Sequence, residues 1–418
     1  MASTKLTRTP SGAGNKKTFT WSGWVKRSGL GAIQGLFTVD TGSGESAFGF
    51  LADDTLRLYL NIASNYPTIV TNAVFRDTSA WYHIAFAVDT TQSTEADRVK
   101  IYVNGSQVTS FSSASYPTQN ADTDFNTTNL HEIGFYSNQN SGGYFDGQLA
   151  HVHFTDGYAY AASSFGSTAT NGQWVPNLNP SVTYGTNGYF LKFTNASDLG
   201  EDFSGNNNDY TKSGSGDKVL DNPENVFATL NSTLPISATA TYTNGNLSFV
   251  GTSYRSPRST LGISTGKFYF EMLRTSTADD VHVGIATDTE TGLDTWVGST
   301  STGYIYAGND GQKYNNGSGS SYGATFTTND IIGVAVDMDA GTLKFYKNNS
   351  DQGTAFTGLS GTVFPVTSGG GAVTLNFGQD SSFAGGKTAQ NNADGNGEGD
   401  FYYTPPSGFL ALCSNNLS

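Results

Sequence analysis

Two imidazoles stand two residues apart at His151-Val152-His153, a spacing that puts both on one face of an extended strand and would suit a metal ion. No cysteine or further histidine lies nearby, so the pair is read as the polar face of a strand and no metal is assigned to it. A second run, Asp202-x-Ser204-x-Asn206-x-Asn208, offers oxygen ligands at alternate positions, as a calcium loop does. Its twelfth position holds Ser213 rather than a bidentate glutamate. A turn tied by Asx hydrogen bonds is therefore expected at Asp202, Asn206 and Asn208, with calcium as the alternative and no other cofactor. The third group is aromatic. Tyr304, Tyr306 and Tyr314 lie among Gly308-Asn309-Asp310-Gly311 and Asn315-Asn316-Gly317, and Tyr136 and Tyr144 flank Asn138-Gln139-Asn140-Ser141-Gly142-Gly143. Tyrosine exposed beside amides and hydroxyls suits sugars, its ring covering the apolar C–H face while the polar groups bond the hydroxyls. The same composition serves adaptable protein-binding surfaces, and solvated connections without a ligand are the third reading.

These residues need strands to position them. Phe19 to Val25, Thr55 to Leu60 and Trp81 to Val88 alternate large apolar with small or polar residues, as half-buried strands do. Arg98 to Val103 runs through Asn104-Gly105 into Ser106 to Thr109, and Asn-Gly between alternating runs predicts a hairpin. Further strands are expected at 130–135, 147–154, 188–193, 266–272, 281–286, 331–336, 341–346 and 372–377. Trp21, Trp24, Trp81, Phe268 and Phe270 lie on such strands and are expected in the core or on a sheet face. No segment carries a 3.6-residue apolar period. An internal echo links the halves: Phe86-Ala87-Val88-Asp89 precedes the strand Val99 to Val103, and Val334-Ala335-Val336-Asp337 precedes Thr342 to Lys347. The expectation is two β-sandwiches of related design, residues 1–193 and 236–418, joined by an Asn/Asp/Ser-rich bridging segment at 194–235.

Composition narrows the class. The chain has 418 residues, 35 acidic and 21 basic, for a formal net charge of −14. That balance speaks against a nucleic-acid or anionic-membrane binder, which needs Lys and Arg to neutralise phosphates. No apolar run reaches the ~20 residues of a membrane helix, so no membrane insertion is expected. The 27 Phe, 22 Tyr and 5 Trp supply material for packed cores. The single cysteine, Cys413, excludes an internal disulfide framework. Nucleophile-elbow, P-loop and zinc-helix motifs are absent.

Several motifs resemble known families. Gly266-Lys267-Phe268-Tyr269-Phe270-Glu271, Val283-Gly284-Ile285-Ala286, Tyr322 to Phe326, Asp330 to Asp337, Phe345-Tyr346-Lys347-Asn348-Asn349, Phe364-Pro365-Val366 and Leu375-Asn376-Phe377-Gly378 follow the order of the SPRY domain family. Asn349 stands where that family usually carries Gly, a change that αL-tolerant Asn permits. Trp21 to Lys26, Trp81 to Ile84, Ile101 to Gly105 and Phe145 to Ala150 resemble laminin-G-like, concanavalin A-like sandwiches. Both resemblances imply antiparallel jelly rolls, and hence an all-β chain of two sandwiches in tandem. The laminin-G resemblance implies a loop-rim calcium at Asp89 or Asp146 as an unassigned option. The SPRY resemblance implies partner binding by loops at one end, with Trp296 and Tyr304 to Tyr314 as the first candidates. Sandwiches of this fold include glucanases, which set two carboxylates on one strand as E-x-D-x-E. That spacing is absent, and Glu290, Asp294, Glu398 and Asp400 read as solvated loop carboxylates, so no enzyme is expected.

The whole chain is also similar to a two-module arrangement in predicted proteins of tailed, especially marine, bacteriophages. Asp156-Gly157, Gly172 to Pro176, Asp221 to Asn231 and Tyr403 to Cys413 carry that resemblance. It implies a non-enzymatic virion-surface protein, of tail or head fibre type and assembled in the host cytoplasm. Such a protein would bind host-surface glycan or protein through Tyr136, Tyr144, Trp296, Tyr304, Tyr306 and Tyr314. The alternative is a structural virion component, a capsid decoration or fibre building block, whose loops serve assembly. Partners are then other virion proteins and copies of the chain itself, with a trimer in view. Attachment is expected through folded surface, oligomerisation or the short tail Met1 to Lys17.

Overall fold

The computed structural model describes residues 3–62, 66–137, 143–236, 240–251, 254–277, 281–290 and 294–417. The chain divides into two compact units, Met1–Lys218 and Val219–Ser418. Among the described residues, helix is confined to three single 3-10 turns and a terminal turn at Ser414–Leu417.

In the first unit, one antiparallel sheet runs in spatial order Phe111–Ala114, Thr68–Val74, Thr55–Tyr59, Glu45–Phe50, Gln34–Asp40, Leu130–Ile133, Lys5–Arg8 and Thr211–Ser213. The other runs Tyr189–Leu191, Gly147–Asp156, Thr18–Arg27, Trp81–Asp89, Val99–Val103 and Ser106–Gln107. Alternation along Thr18–Arg27 sends Phe19, Trp21 and Val25 into the core between the sheets, where Trp21 stacks on Phe86 at 5.9 Å. The opposite face of the strand does not meet water either, because every residue after Thr18 is buried. Thr20 and Thr155 anchor a covering segment there: both hydroxyls donate to the Tyr158 carbonyl (3.0 and 2.9 Å), and Thr20 accepts from the Tyr160 N–H at 2.7 Å. Further along, Trp174 of the covering segment lies 5.9 Å from the His83 ring, which lies 5.2 Å from Trp24.

In the second unit, the larger sheet runs Thr241–Thr243, Ser248–Val250, Ala372–Asn376, Lys267–Arg274, Ile331–Asp337, Thr342–Lys347 and Ser350–Thr357. The smaller runs Ser318–Ser321, Gln312–Asn315, Gly303–Ala307, Val281–Thr287 and Val363–Gly369. The internal echo is topological. Ile84 to Val88 pair with Val103 to Val99, and Ile332 to Asp337 pair with Lys347 to Thr342. In both units an earlier long strand lies beside the first arm of that hairpin, Thr18–Arg27 in one and Lys267–Arg274 in the other. The turns behave as read: Asn104 has φ +46° and Asn349 φ +68°, left-handed values that Asn tolerates.

The segment expected as a bridge at 194–235 differs from that expectation, because several of its apolar residues are drawn into cores. Tyr210 fills the first core, and Thr211–Ser213 pairs with Lys5–Arg8. Phe227, Ala228 and Leu230 are buried in the second unit. The division between the two compact units falls at 218/219, within the segment expected as a bridge. Lys5–Arg8 is likewise a sheet strand, which removes it from the tail expected at Met1 to Lys17.

The outer face of Lys267–Arg274 is closed by the chain's last segment. Glu271 is fully buried there and accepts the backbone N–H of Tyr402 (2.9 Å) and of Tyr403 (2.8 Å), with the Asn376 amide at 3.2 Å and the Tyr269 hydroxyl at 3.3 Å. Burial raises this carboxyl to about 7, against the opposing pull of those donors. The folded chain thus holds the proton more tightly than the unfolded one. Its contribution to stability is complete below the ordinary value of 4.5 and is lost as pH rises through about 7. The difference amounts to about 3 kcal/mol. Urea unfolding of the native chain and of Glu271→Gln at intervals between pH 4 and pH 8 should show their stability difference shifting against the native chain over that window. Parallel profiles would contradict this account of Glu271.

Candidate functional site

The strand alternation of Gly303–Ala307 decides which aromatics can meet a ligand. Tyr304 and Tyr306 face the inter-sheet core, while Ile305 faces outward. Tyr306 is wholly buried, with its hydroxyl donating to the Ala324 carbonyl and its ring 5.2 Å from Phe326 and 5.3 Å from Phe345. Tyr304 packs on Phe356 at 5.3 Å. Both were expected on loops and both are corrected: the Gly/Asn-rich turns lie beside these strands rather than around the tyrosines. Tyr314 pairs with Ile305 in register and so shares its outward face.

On that outer face Ala286, Val297, Ile305 and Val366 form a small apolar cluster beneath Trp296 and Tyr314. The two rings meet edge to face at 4.9 Å, His282 lies 5.8 Å from Trp296, and Tyr254, 44% exposed, lies 6.4 Å from it. Polar groups border the rings: the Tyr314 hydroxyl donates to Asp310 at 2.5 Å, and Arg255 pairs with Asp294 at 3.3 Å. Trp296 and Tyr314 thus come together as a half-exposed aromatic surface, and Tyr254 joins them although the sequence reading passed it over.

The candidates of the first unit do not assemble. Tyr136 is buried, and its hydroxyl accepts from Arg57, whose guanidinium lies 5.3 Å from the ring. Tyr144 is half-buried against Phe135 at 4.5 Å. Asn138 to Gly142, between them in the sequence, lie outside the described residues. A bulge between Ala150 and His153 breaks the expected alternation, and His151 sits at φ +47°. His153 is buried between Phe190 (4.0 Å) and Phe165 (5.1 Å), with Nδ1 3.0 Å from the Tyr184 hydroxyl. Burial holds its pKa well below the ordinary value, so it stays neutral.

The run considered for calcium is occupied by its own hydrogen bonds. Asp202 Oδ1 accepts from the N–H groups of Phe190 and Ser204, and Oδ2 from the Ser204 hydroxyl and the Asn208 N–H. Asn206 and Asn208 aim amide nitrogens at the Gly188 carbonyl, at 2.9 and 2.8 Å, which is donor chemistry rather than ligation of a cation. The residues fit the Asx-tied turn. Two of the loop carboxylates are also less solvated than expected. Glu290 is buried and accepts the hydroxyls of Thr300 and Thr302. Glu398, half-buried, accepts the side-chain amides of Asn225 and Asn415.

A feature the sequence reading missed lies on the outer face of the first unit's smaller sheet. A cavity of about 290 Å³ opens over Ala87, bounded by Lys100 and Tyr102 of the neighbouring strand, by Asp89 and Asp97, and by Tyr160 of the covering segment. Register explains it. Ala87 stands directly opposite Lys100, so a short side chain beside long ones leaves a trench. Burial pushes the Asp89 carboxyl up, but hydrogen bonds from Thr91, Gln92 and Thr18 outweigh it and hold the group below the usual carboxylate range. Alanine at an outward position of a long strand was the available signal.

Comparison with known proteins divides the chain in the same way. Residues 2–164 match the concanavalin A-like lectin/glucanases superfamily, and residues 267–380 match the SPRY domain. The chain thus carries a concanavalin A-like domain followed by a SPRY domain, consistent with its two antiparallel sandwiches. Ran-binding protein 9 of Xenopus laevis is 37% identical over 119 residues, which cover 27% of this chain and 22% of that protein. A Ran-binding proteins 9/10 homolog of Drosophila melanogaster is 34% identical over 122 residues, 28% of this chain and 13% of that one. The chain therefore spans less than a quarter of the length of these curated relatives. Among solved structures, the SPRY domain of human HERC1 is 21% identical, covering 32% of this chain and 91% of that chain with a TM-score of 0.29.

The two environments of the second unit's tyrosines predict different costs of truncation. Tyr306→Ala should lower stability by about 3–5 kcal/mol, as large-to-small changes in a core do. Tyr314→Ala, on the outer face, should cost about 1 kcal/mol. Urea denaturation of both variants measures this, and equal losses would refute the assignment of opposite faces.

Proposed function

We propose that this tandem of a concanavalin A-like and a SPRY domain is a non-enzymatic recognition protein that holds a surface glycan against Trp296, Tyr314 and Tyr254. The observation that carries the reading is the half-exposed aromatic surface on the second unit, bordered by Asp310, Asp294 and Arg255. Aromatic faces cover the apolar side of a pyranose ring, and the flanking carboxylates and guanidinium bond its hydroxyls. The absence of an E-x-D-x-E strand from the sequence, and the use of Glu290 and Glu398 in tying turns, support a binding role without hydrolysis.

The setting we propose is the surface of a tailed-phage virion, where copies of the chain present this surface to a bacterial host. Support for that setting comes from the resemblance carried by Asp221 to Asn231 and Tyr403 to Cys413. The likeness to Ran-binding protein 9 favours a second reading, in which the ligand at the same surface is a protein.

Fluorescently labelled chain should bind host cells saturably, and periodate oxidation of surface sugars should abolish binding. Trp296→Ala should weaken binding at least about tenfold, since residues in the centre of a contact dominate its energy. Binding that survives periodate and is lost on protease treatment of the cells would favour the protein ligand. A folded chain that does not bind would overturn the recognition reading.

A further inference from the structure

We propose that the trench over Ala87 in the first unit binds a cationic group, an ammonium or guanidinium on an aliphatic stem, between Tyr102 and Tyr160 and against Asp89. The site is separate from the aromatic surface of the second unit and independent of the glycan reading.

The charges in the trench do not cancel. Lys100 is already paired with Asp97 at 3.1 Å. Arg98, the cation just before the strand, turns its guanidinium to the carbonyls of Gln92, Ser93 and Pro117. Among the described residues Asp89 makes no ion pair, although it lines the cavity. Its partners are neutral donors: the N–H and hydroxyl of Thr91, the Gln92 amide and the Thr18 hydroxyl. These bonds fix the carboxylate in position and keep it ionised, and they leave Oδ2 with a single partner, Gln92. A partly desolvated anion held in place without a counter-charge is a receptor for a cation.

The walls point the same way. Tyr102 and Tyr160 line the cavity, and tyrosine faces attract ammonium and guanidinium groups. Tyr158, 43% exposed, stacks on Tyr160 at 5.7 Å and so supports that wall. Ala87 beneath, with Ala159 and Ala161 beside it, gives an aliphatic stem an apolar surface to lie on. A volume of about 290 Å³ is at the small end for ligand pockets, enough for one side-chain-sized group. The formal charge of −14 draws cations toward the chain from a distance. A free amine and a Lys or Arg side chain of a partner peptide present the same chemistry.

NMR titration of the full chain with butylammonium, ethylguanidinium and a lysine-containing tetrapeptide tests this, with 1-butanol as the uncharged isostere. Saturable shifts should appear for the cations and weaken at least about tenfold in both Asp89→Asn and Ala87→Leu. The first removes the charge and the second fills the floor, and urea midpoints verify that each variant folds. Shifts with the small cations mark a site open to free amines, and shifts with the peptide alone mark a peptide partner; both uphold the cationic site. Trp296→Ala should leave these titrations unchanged, which separates this site from the glycan surface. Equal binding of 1-butanol, binding that survives both trench substitutions, or no cation binding at all would overturn the proposal.

Discussion

The central strands of both units are buried on both faces, and the rest of the structure follows from that constraint. An ordinary sandwich sheet turns one face to the core and the other to water. Here Thr18–Arg27 is buried from Phe19 onward, and Ile331–Asp337 along its whole length. A covering segment laid on such a sheet brings backbone N–H and carbonyl groups that need partners away from water. The sheets supply them through a few polar side chains at outward positions. Thr20 and Thr155 serve Tyr158 and Tyr160 in the first unit, and Glu271 and Asn376 serve residues 400–403 in the second.

Asp156 shows the same economy at a sheet end. Its two oxygens accept the backbone N–H of Asn15 (2.8 Å), the Asn126 amide (2.6 Å) and the backbone N–H of Asn187 (3.0 Å), joining three distant loops. Asp202 does so for the turn that was a candidate for calcium. An acidic, Asn-rich chain thus spends much of its polar inventory on its own loops. Residues that look available for catalysis or metal binding in the sequence are often internal ties.

Covering the sheets also determines where surface chemistry survives. The Trp296–Tyr314 surface lies where two half-exposed rings alone cover a small buried apolar cluster on the outer face. The trench lies where Ala87 stands opposite Lys100 and beside Tyr160 of the covering segment, so that a short side chain forms the floor. Both sites depend on which segments pack against the outward residues, and that is a property of the return path of the chain.

Period-two alternation, Asn-Gly turns and aromatic content were sufficient, in the sequence alone, to establish an all-β chain and to locate the main strands. They also revealed the repeated hairpin, because these signals are local and each strand carries its own. Trp296 and Tyr314 were legible as candidates for a related reason, an aromatic residue close to turn residues. Tyr304 and Tyr306 misled because short strands between Gly-rich turns look like loops until their partners are known. Tyr136 misled because its burial depends on Arg57, far away in sequence. The fate of 194–235, the bulge at His151, the closing of Glu271 beneath Tyr402 and Tyr403, and the trench over Ala87 were decided only by tertiary structure. Each arises from a contact between segments distant in the chain, and no local pattern of residue types encodes which partner will cover which face.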